Sequence, residues 1–226
     1  MDVLHALAAE GVEAGTAVVA TEQTGGRGSR GRTWSSPPGG LWLSVLFRPP
    51  SGAGIELSGL RIGLAVADAI EALHAGLSVR IKWPNDLMVG DRKLGGILCE
   101  ARWQGGALAW MVAGVGINVS NVVAEDLRGT AAALEEWLPG ARAEQVEPEV
   151  TRRLRGLTHG AERLREEELA ALTRRDWLRG RRLRTPVIGT AAGISDEGAL
   201  LVTADGGSTV TVRAGSVELA DRSRTP

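Results

Sequence analysis

Apolar residues repeat along this chain with two different periods. At Leu60, Leu64, Ala67, Ile70 and Leu73 they keep the three-to-four spacing that lays one stripe of a helix on a core, so residues 60–73 are predicted to be helical. Residues 41–47, Leu-Trp-Leu-Ser-Val-Leu-Phe, are apolar at both parities, as a strand covered on two faces must be, and are expected near the middle of a sheet. Residues 16–20 and 79–83 read as further strands, the second stopped by Pro84. Residues 87–89 and 94–101 flank a turn at Gly90-Asp91-Arg92, and 107–119 follows Gly105-Gly106; connections this short join antiparallel neighbours. A short helix is expected over 2–10 with Asp2 as its cap, a break over 49–54, a loop with a short helix over 121–141, and one long helix over 148–178, where Arg and Glu at i,i+4 mark a solvated face.

The pattern changes near Gly180. Four short β-rich runs follow, at 186–190, 199–203, 209–213 and 216–219, separated by Gly and Asp. So short a stretch cannot bury much core of its own, so it is expected to rest on the main domain as a small β-barrel-like unit. The division is 1–179 and 180–226, with the tail 221–226 expected to fray.

Composition narrows the function classes. With 43% hydrophobic and 23% charged residues, the 226-residue chain falls in the soluble globular class. A net charge of −1 gives no overall basic field for nucleic acid. The single cysteine, Cys99, excludes an internal disulfide framework, offers no zinc-type cluster, and is expected in the core. Residues 1–5 lack a basic leader and no stretch is long and apolar enough to span a bilayer, so a cytoplasmic protein with no membrane partner is expected.

Lysine usage points to a site. Lys82 and Lys93 are the only lysines among 26 basic residues; all the rest are arginine. A compact ammonium with rotatable donors and a tunable pKa is something arginine cannot imitate. Three segments carry candidate chemistry. In Gln23-Thr-Gly-Gly26-Arg27-Gly28-Ser29-Arg30-Gly31-Arg32-Thr33-Trp34, glycines let backbone N–H groups approach an anion and arginines add forked donors, which suits a phosphate or a carboxylate; the bland alternative is a flexible Arg-Gly nucleic-acid segment. In Lys82-Trp83-Pro84-Asn85-Asp86, with Lys93-Leu-Gly-Gly96 beyond, an Asn and an Asp beside a lysine can hold hydrated Mg²⁺ and a polyphosphate, or merely form an Asx turn. In Gly114-Val-Gly116-Ile-Asn118, glycines inside an apolar strand signal either a bulge or a ligand packed on the main chain.

In this order and spacing the segments resemble the catalytic core of the biotin protein ligases, over essentially residues 3–220. The resemblance implies an α+β fold: a mixed, largely antiparallel sheet flanked by helices, of the class II synthetase-like biotinyl/lipoyl ligase type, with a small C-terminal SH3-like β-barrel. It implies ATP and Mg²⁺ as co-substrate and activator, biotin as substrate, and the biotin carboxyl carrier protein of acetyl-CoA carboxylase as partner. Carried over position by position, it assigns Lys93, Arg27 and Arg32 to catalysis. Gln23, Gly26, Arg27, Gly28, Ser29, Lys93, Gly96, Gly114 and Gly116 are assigned to biotin. Arg30, Arg32, Lys82, Trp83, Asn85, Asp86 and Asn118 are assigned to ATP, with Asp86 holding Mg²⁺ directly or through water. Trp34 and Trp42 read as core or pocket wall rather than as catalysts.

Two positions depart from the family pattern. Ser29 stands where the family usually has arginine, which predicts weaker retention of an anionic adenylate. The Ser/Thr-rich segment that supplies hydroxyls to the biotin ring should end where Met1-Asp2 stands, so either the natural start lies upstream or those donors are missing. No DNA-binding helix-turn-helix is expected before the core. A lipoate or octanoate ligase and a catalytically weak biotin-binding module are the alternatives. Strand edges around 98–112 would allow a homodimer, and nothing in the sequence requires one.

Overall fold

The computed structural model describes residues 1–220, so the expected fraying of 221–226 lies outside the described residues. Six strands, β1 (Ala17–Ala20), β2 (Leu41–Phe47), β3 (Val79–Lys82), β4 (Asp86–Val89), β5 (Arg92–Gln104) and β6 (Ala107–Ile117), form one sheet. Their order is β1-β2-β6-β5-β4-β3, and every ladder between them is antiparallel. β2 is interior and buried at all its positions, as its unbroken apolar run requires. β5 and β6 turn through Gly105 and Gly106, both at positive φ (56° and 81°), which L-residues resist and glycine does not.

The two faces of β2 serve different purposes. Leu41, Leu43, Val45 and Phe47 point into the main core, where they meet helix α2 (Ser58–Leu73) and helix α3 (Ala143–Arg155). Leu46 on the other face joins Trp110 and Val112 beneath helix α1 (Asp2–Ala9) through Leu4 and Ala8. Trp42 and Ser44 share that second face beyond the end of α1, and there they wall a cleft. Met1, not Asp2, occupies the cap position of α1; Asp2 lies in its first turn.

The single helix expected over 148–178 is two. α3 starts earlier, at Ala143, and ends before Gly156; α4 spans Glu166–Arg175. Between them the backbone is tied to α2 by Arg61, which is 3% exposed. Its guanidinium donates to the carbonyls of Ala161 (3.1 Å) and Arg163 (2.8 Å) and to Glu168 Oε1 (3.1 Å). Carbonyls engaged by a buried arginine are carbonyls outside a helical ladder, and local charge spacing carries no trace of so distant a partner.

The C-terminal sheet has five strands rather than four: β7 (Arg182–Thr185), β8 (Gly189–Ile194), β9 (Leu200–Ala204), β10 (Thr209–Val212) and β11 (Glu218–Leu219), ordered β10-β9-β8-β7-β11. β7 escapes a hydrophobicity pattern because Leu183 is its one buried residue. Among the described residues no ladder joins β10 to β11, so the sheet is not a closed barrel. Leu183, Leu200 and Val202 nevertheless belong to the same continuous core as α2 and β3. Cys99 is half-buried against that core. The outer edge of β5 from Leu98 to Gln104 has no strand partner among the described residues, whereas β6 is paired on both sides from Met111 to Ile117. No helix is long and apolar enough to cross a membrane among the described residues.

Candidate active site

A cleft of about 390 Å³ opens on the face of the sheet beyond α1, and the three candidate segments converge there. Its floor is where β5 and β6 run side by side and three glycines carry no side chain: Gly96 pairs with Gly116, and Gly114 pairs with Leu98, whose side chain also lines the cleft. A Cβ on Gly116 would sit 2.8 Å from Trp34 Nε1, and one on Gly95 would strike the Gly116 carbonyl at 2.5 Å. The glycines of this segment therefore allow close approach; the ladder runs through them without a bulge.

Lys93 reaches the cleft from the start of β5. Its Nζ lies 2.5 Å from Asp86 Oδ1 and 4.9 Å from the centre of the Trp34 ring. Its backbone is held on the open side by the loop after β6: Lys93 N–H donates to the Thr130 carbonyl (2.7 Å), and Ala132 N–H donates to the Lys93 carbonyl (3.0 Å). Asn85 spends its side-chain amide on the Ile97 carbonyl (2.6 Å). Lys82 lines the same cleft from β3, its ammonium over the Trp177 ring.

The glycine- and arginine-rich segment forms the rim. Gly26 is required by packing, since a Cβ there would meet the Trp34 carbonyl at 2.3 Å. Gln23 donates to Ser36 Oγ (2.8 Å). Arg32 donates to the Ser29 hydroxyl (3.0 Å) and carbonyl (3.3 Å), so Ser29 holds Arg32 in place. Arg27 donates through both terminal nitrogens to Asp2 (2.8 Å each) and, through Nε and Nη2, to Glu100 Oε1 (3.3 and 3.2 Å). The Asp2 hydrogen bonds and the nearby Glu100 charge raise the Arg27 pKa, and the same contact lowers that of Asp2.

Of the residues singled out from sequence, Gln23, Arg27, Gly28, Ser29, Arg32, Lys82, Asn85, Asp86, Lys93, Gly96, Gly114, Gly116 and Asn118 all line the cleft. Gly26 lies directly behind the rim. Arg30 and Trp83 do not line it. Arg30 takes the left-handed conformation (φ 62°, ψ 39°) in the short turn Ser29–Gly31. Trp83 is 2% exposed and its indole donates to the Gly198 carbonyl (2.9 Å) in the C-terminal sheet. Lys82 and Trp83 are consecutive at the end of a strand, so their side chains leave on opposite faces and cannot share one wall. Asn118 is buried, its amide on the Ala132 carbonyl (3.2 Å) and its Oδ1 accepting from Asn121 (3.1 Å), which orders the loop beside Lys93. Trp34 and Trp42 do wall the cleft, and the buried Trp34 indole N–H has no partner among the described residues. Asp2, Glu100 and Trp177 were not foreseen in these positions; the lone acidic residue in β5 at Glu100 was the one available signal.

Concentrated cationic donors, the carboxylates of Asp2 and Asp86, and a glycine-rich floor make a site that can bring two anionic ligands together. Residues 2–118 match the Biotin/lipoate A/B protein ligase family, and 179–220 match the Biotin protein ligase C terminal domain. The chain is 34% identical over 215 residues to the Bifunctional ligase/repressor BirA of Bacillus subtilis, spanning 88% of this chain but only 64% of that protein. It is 32% identical over 217 residues to the Biotin--[acetyl-CoA-carboxylase] ligase of Paracoccus denitrificans, covering 89% of this chain and 90% of that one. Its fold superposes on the biotin protein ligase from Aquifex aeolicus in complex with biotin and ATP with a TM-score of 0.74, at 26% identity, over 95% of this chain and 93% of that one. The chain belongs to the biotin/lipoate A/B protein ligase family, on the side of the biotin protein ligases.

Proposed function

We propose that this protein is an ATP-dependent biotin ligase that acts on a biotin carboxyl carrier domain, that of acetyl-CoA carboxylase in the first instance. The observation that carries the reading is the convergence of both lysines, Asp86 and the Arg27–Arg32 rim on one cleft whose floor is Gly96, Gly114 and Gly116. In the first step a biotin carboxylate oxygen attacks the α-phosphorus of ATP, forming the mixed anhydride biotinyl-5′-AMP and expelling pyrophosphate. In the second, the carrier lysine amine attacks the acyl carbon; an amide forms, AMP leaves, and the amine gives up a proton.

Both steps concentrate negative charge at the acyl–phosphate junction. Lys93 is the side chain that would meet it, as a compact ammonium already held in the cleft by Asp86, with Arg27 and Arg32 on the rim. Gln23, Gly26, Gly28, Ser29 and the floor glycines would enclose biotin, while Arg32, Lys82, Asn85 and Asn118 would border the nucleotide. Arg30 and Trp83 would act from outside the wall.

Magnesium suits this donor set as a companion of the nucleotide. Among the described residues there is no group of three or more His, Cys, Asp or Glu able to hold a metal alone, and a Mg²⁺ that keeps its waters needs one carboxylate beside the phosphates. Asp86 would supply it, and the ion would offset phosphate charge.

Residues 1–179 would form the catalytic unit and 180–226 a supporting β unit, in the cytoplasm. The test is biotin-dependent ATP–pyrophosphate exchange together with the intact mass of a carrier domain after incubation with Mg-ATP and biotin. Exchange with one added biotinyl group is the expected result. Addition of lipoate or octanoate instead would select the other ligase class. Biotin binding without exchange would reduce the protein to a binding module.

A further inference from the structure

We propose that Trp177, in the segment leading into the C-terminal sheet, is a positioning residue for nucleotide binding: its indole is the seat of the Lys82 ammonium. The proposal rests on the assignment of the cleft to a nucleotide.

β3 is a four-residue edge strand, and Lys82 is its last residue. Residues 176–178 cover that edge: Ile81 bridges Asp176 in parallel, and Trp177 N–H donates to the Ile81 carbonyl (3.0 Å). The covering segment is itself rigid. Asp176 is 2% exposed and its Oδ1 accepts from Leu178 N–H (2.9 Å).

The Trp177 side chain then spans from β3 to the next turn. Its Nε1 donates to the Gly90 carbonyl (2.8 Å), between β4 and β5. Backbone and side chain are thus fastened to two different elements, and the ring is a fixed plate. Lys82 Nζ stands 5.6 Å from its centre, within range of a cation–π attraction. The Arg181 guanidinium also lies on this ring at 3.9 Å, but it is bound to Asp91 (2.6 Å), which offsets its charge.

The consequence is preorganisation. A free lysine loses rotamer freedom when a phosphate fixes it, and that loss opposes binding. Lys82 seated on Trp177 has lost part of that freedom before the nucleotide arrives. Trp177 touches no reacting atom, so its removal should weaken apparent nucleotide affinity and leave biotin affinity alone.

The experiment uses the full chain with Trp177→Leu and Trp177→Phe, measuring KM for ATP and for biotin in pyrophosphate exchange. Trp177→Leu is expected to raise KM for ATP about five- to tenfold with KM for biotin within about twofold; Trp177→Phe, which keeps a ring face, should recover much of the loss. A second reading is spectroscopic. Lysine labelled with ¹³C at Cε gives signals from Lys82 and Lys93 alone, assigned with Lys82→Arg. The Lys82 methylene should be shifted upfield by the indole ring current in the unaltered protein and should lose that shift in Trp177→Leu. The spectrum of the unaltered protein decides the seat even if Trp177→Leu does not fold: an unshifted Lys82 overturns it. A folded Trp177→Leu with unchanged KM for ATP overturns the positioning role alone. No exchange by the unaltered chain overturns the ligase reading, and the nucleotide role of the seat with it.

Discussion

Lys93 Nζ and Asp86 Oδ1 stand 2.5 Å apart inside the cleft, the ammonium also facing the Trp34 ring at 4.9 Å. Both side chains are partly shielded, with 25% and 18% of their surface exposed, so their attraction is less screened than that of a surface pair. The carboxylate holds the ammonium where a more highly charged anion can take it over. Lys93→Ala should lower the rate of ATP–pyrophosphate exchange by about 10²- to 10³-fold, the usual effect of deleting one aimed cation or donor. Lys93→Arg should recover little, because a guanidinium forked onto Asp86 and stacked on Trp34 is less free to turn its charge to a reacting centre than a compact ammonium with rotatable donors. A loss smaller than about threefold in Lys93→Ala would remove this lysine from the chemistry.

Gly114 and Gly116 lie two residues apart on one floor, and the structure separates them. A Cβ at 116 would press on the half-buried Trp34 indole, 2.8 Å from its Nε1, and that ring is packed edge-on against Trp42. A Cβ at 114 would press only on the flexible Met1 side chain, at 2.7 Å from its sulfur and 3.3 Å from Cγ, and would reach the Leu98 carbonyl at an ordinary 3.6 Å. Gly116→Ala should therefore cost about 1–3 kcal/mol of stability and Gly114→Ala much less. Urea midpoints measured side by side decide it, and equal losses would contradict the asymmetry. Both substitutions should still weaken biotin binding, since both place a methyl group on the cleft floor.

The parts of the fold legible in the sequence are those whose signal is local. β2 announces itself because both parities are apolar, and the β5–β6 turn because two adjacent glycines accept positive φ. The break between α3 and α4 has a local mark, Gly156 at the end of α3 and Gly160 at φ 101°, which the run of Arg and Glu spacing obscures; the path beyond it is fixed by Arg61, about a hundred residues away in sequence. β7 was missed because an Arg-Leu-Arg-Thr strand buries one side chain. The cleft was legible through glycine spacing and the two lysines. Strand parity places Lys82 and Trp83 on opposite faces, which keeps Trp83 out of it. Asp2 as the partner of Arg27, and Trp177 as the neighbour of Lys82, depend on tertiary placement that no spacing rule encodes.

Ser29 gives a prediction about leakage. Its hydroxyl accepts from Arg32 and adds no charge to the rim. An arginine there would add a cation beside an anionic adenylate, and a unit charge at such range shifts affinity even in a partly screened site. Ser29→Arg should slow the release of biotinyl-5′-AMP several-fold, by about 3–10-fold in the off-rate, with the difference shrinking as salt is added. Rapid dilution with the labelled adenylate measures this directly. Equal off-rates would mean that Arg30 or Arg32 already supplies the retention.

Acid should loosen α1 through His5. His5 Nδ1 accepts from the Trp110 indole N–H (3.0 Å), and an indole can only donate, so the ring must be neutral with its proton on Nε2, facing Glu100 Oε2 at 3.0 Å. Burial lowers the His5 pKa below the ordinary imidazole value of 6.5, the Arg102 charge adds to this, and Glu100 opposes it. Below pH 6.5 the unfolded chain therefore takes up a proton that the folded chain refuses, and stability falls as pH drops until the depressed folded value is reached. One such group contributes a slope of at most about 1.4 kcal/mol per pH unit. His159, lowered by burial and then by Arg61, adds a second in the same direction. His5→Gln can keep both contacts, an amide oxygen for Trp110 and an amide N–H for Glu100, while removing the titration. Urea midpoints between about pH 5 and 7.5 should be flatter for His5→Gln than for the unaltered chain, by up to one proton's slope. Parallel curves would mean that His5 keeps its proton affinity on folding and that α1 is not held by a neutral imidazole.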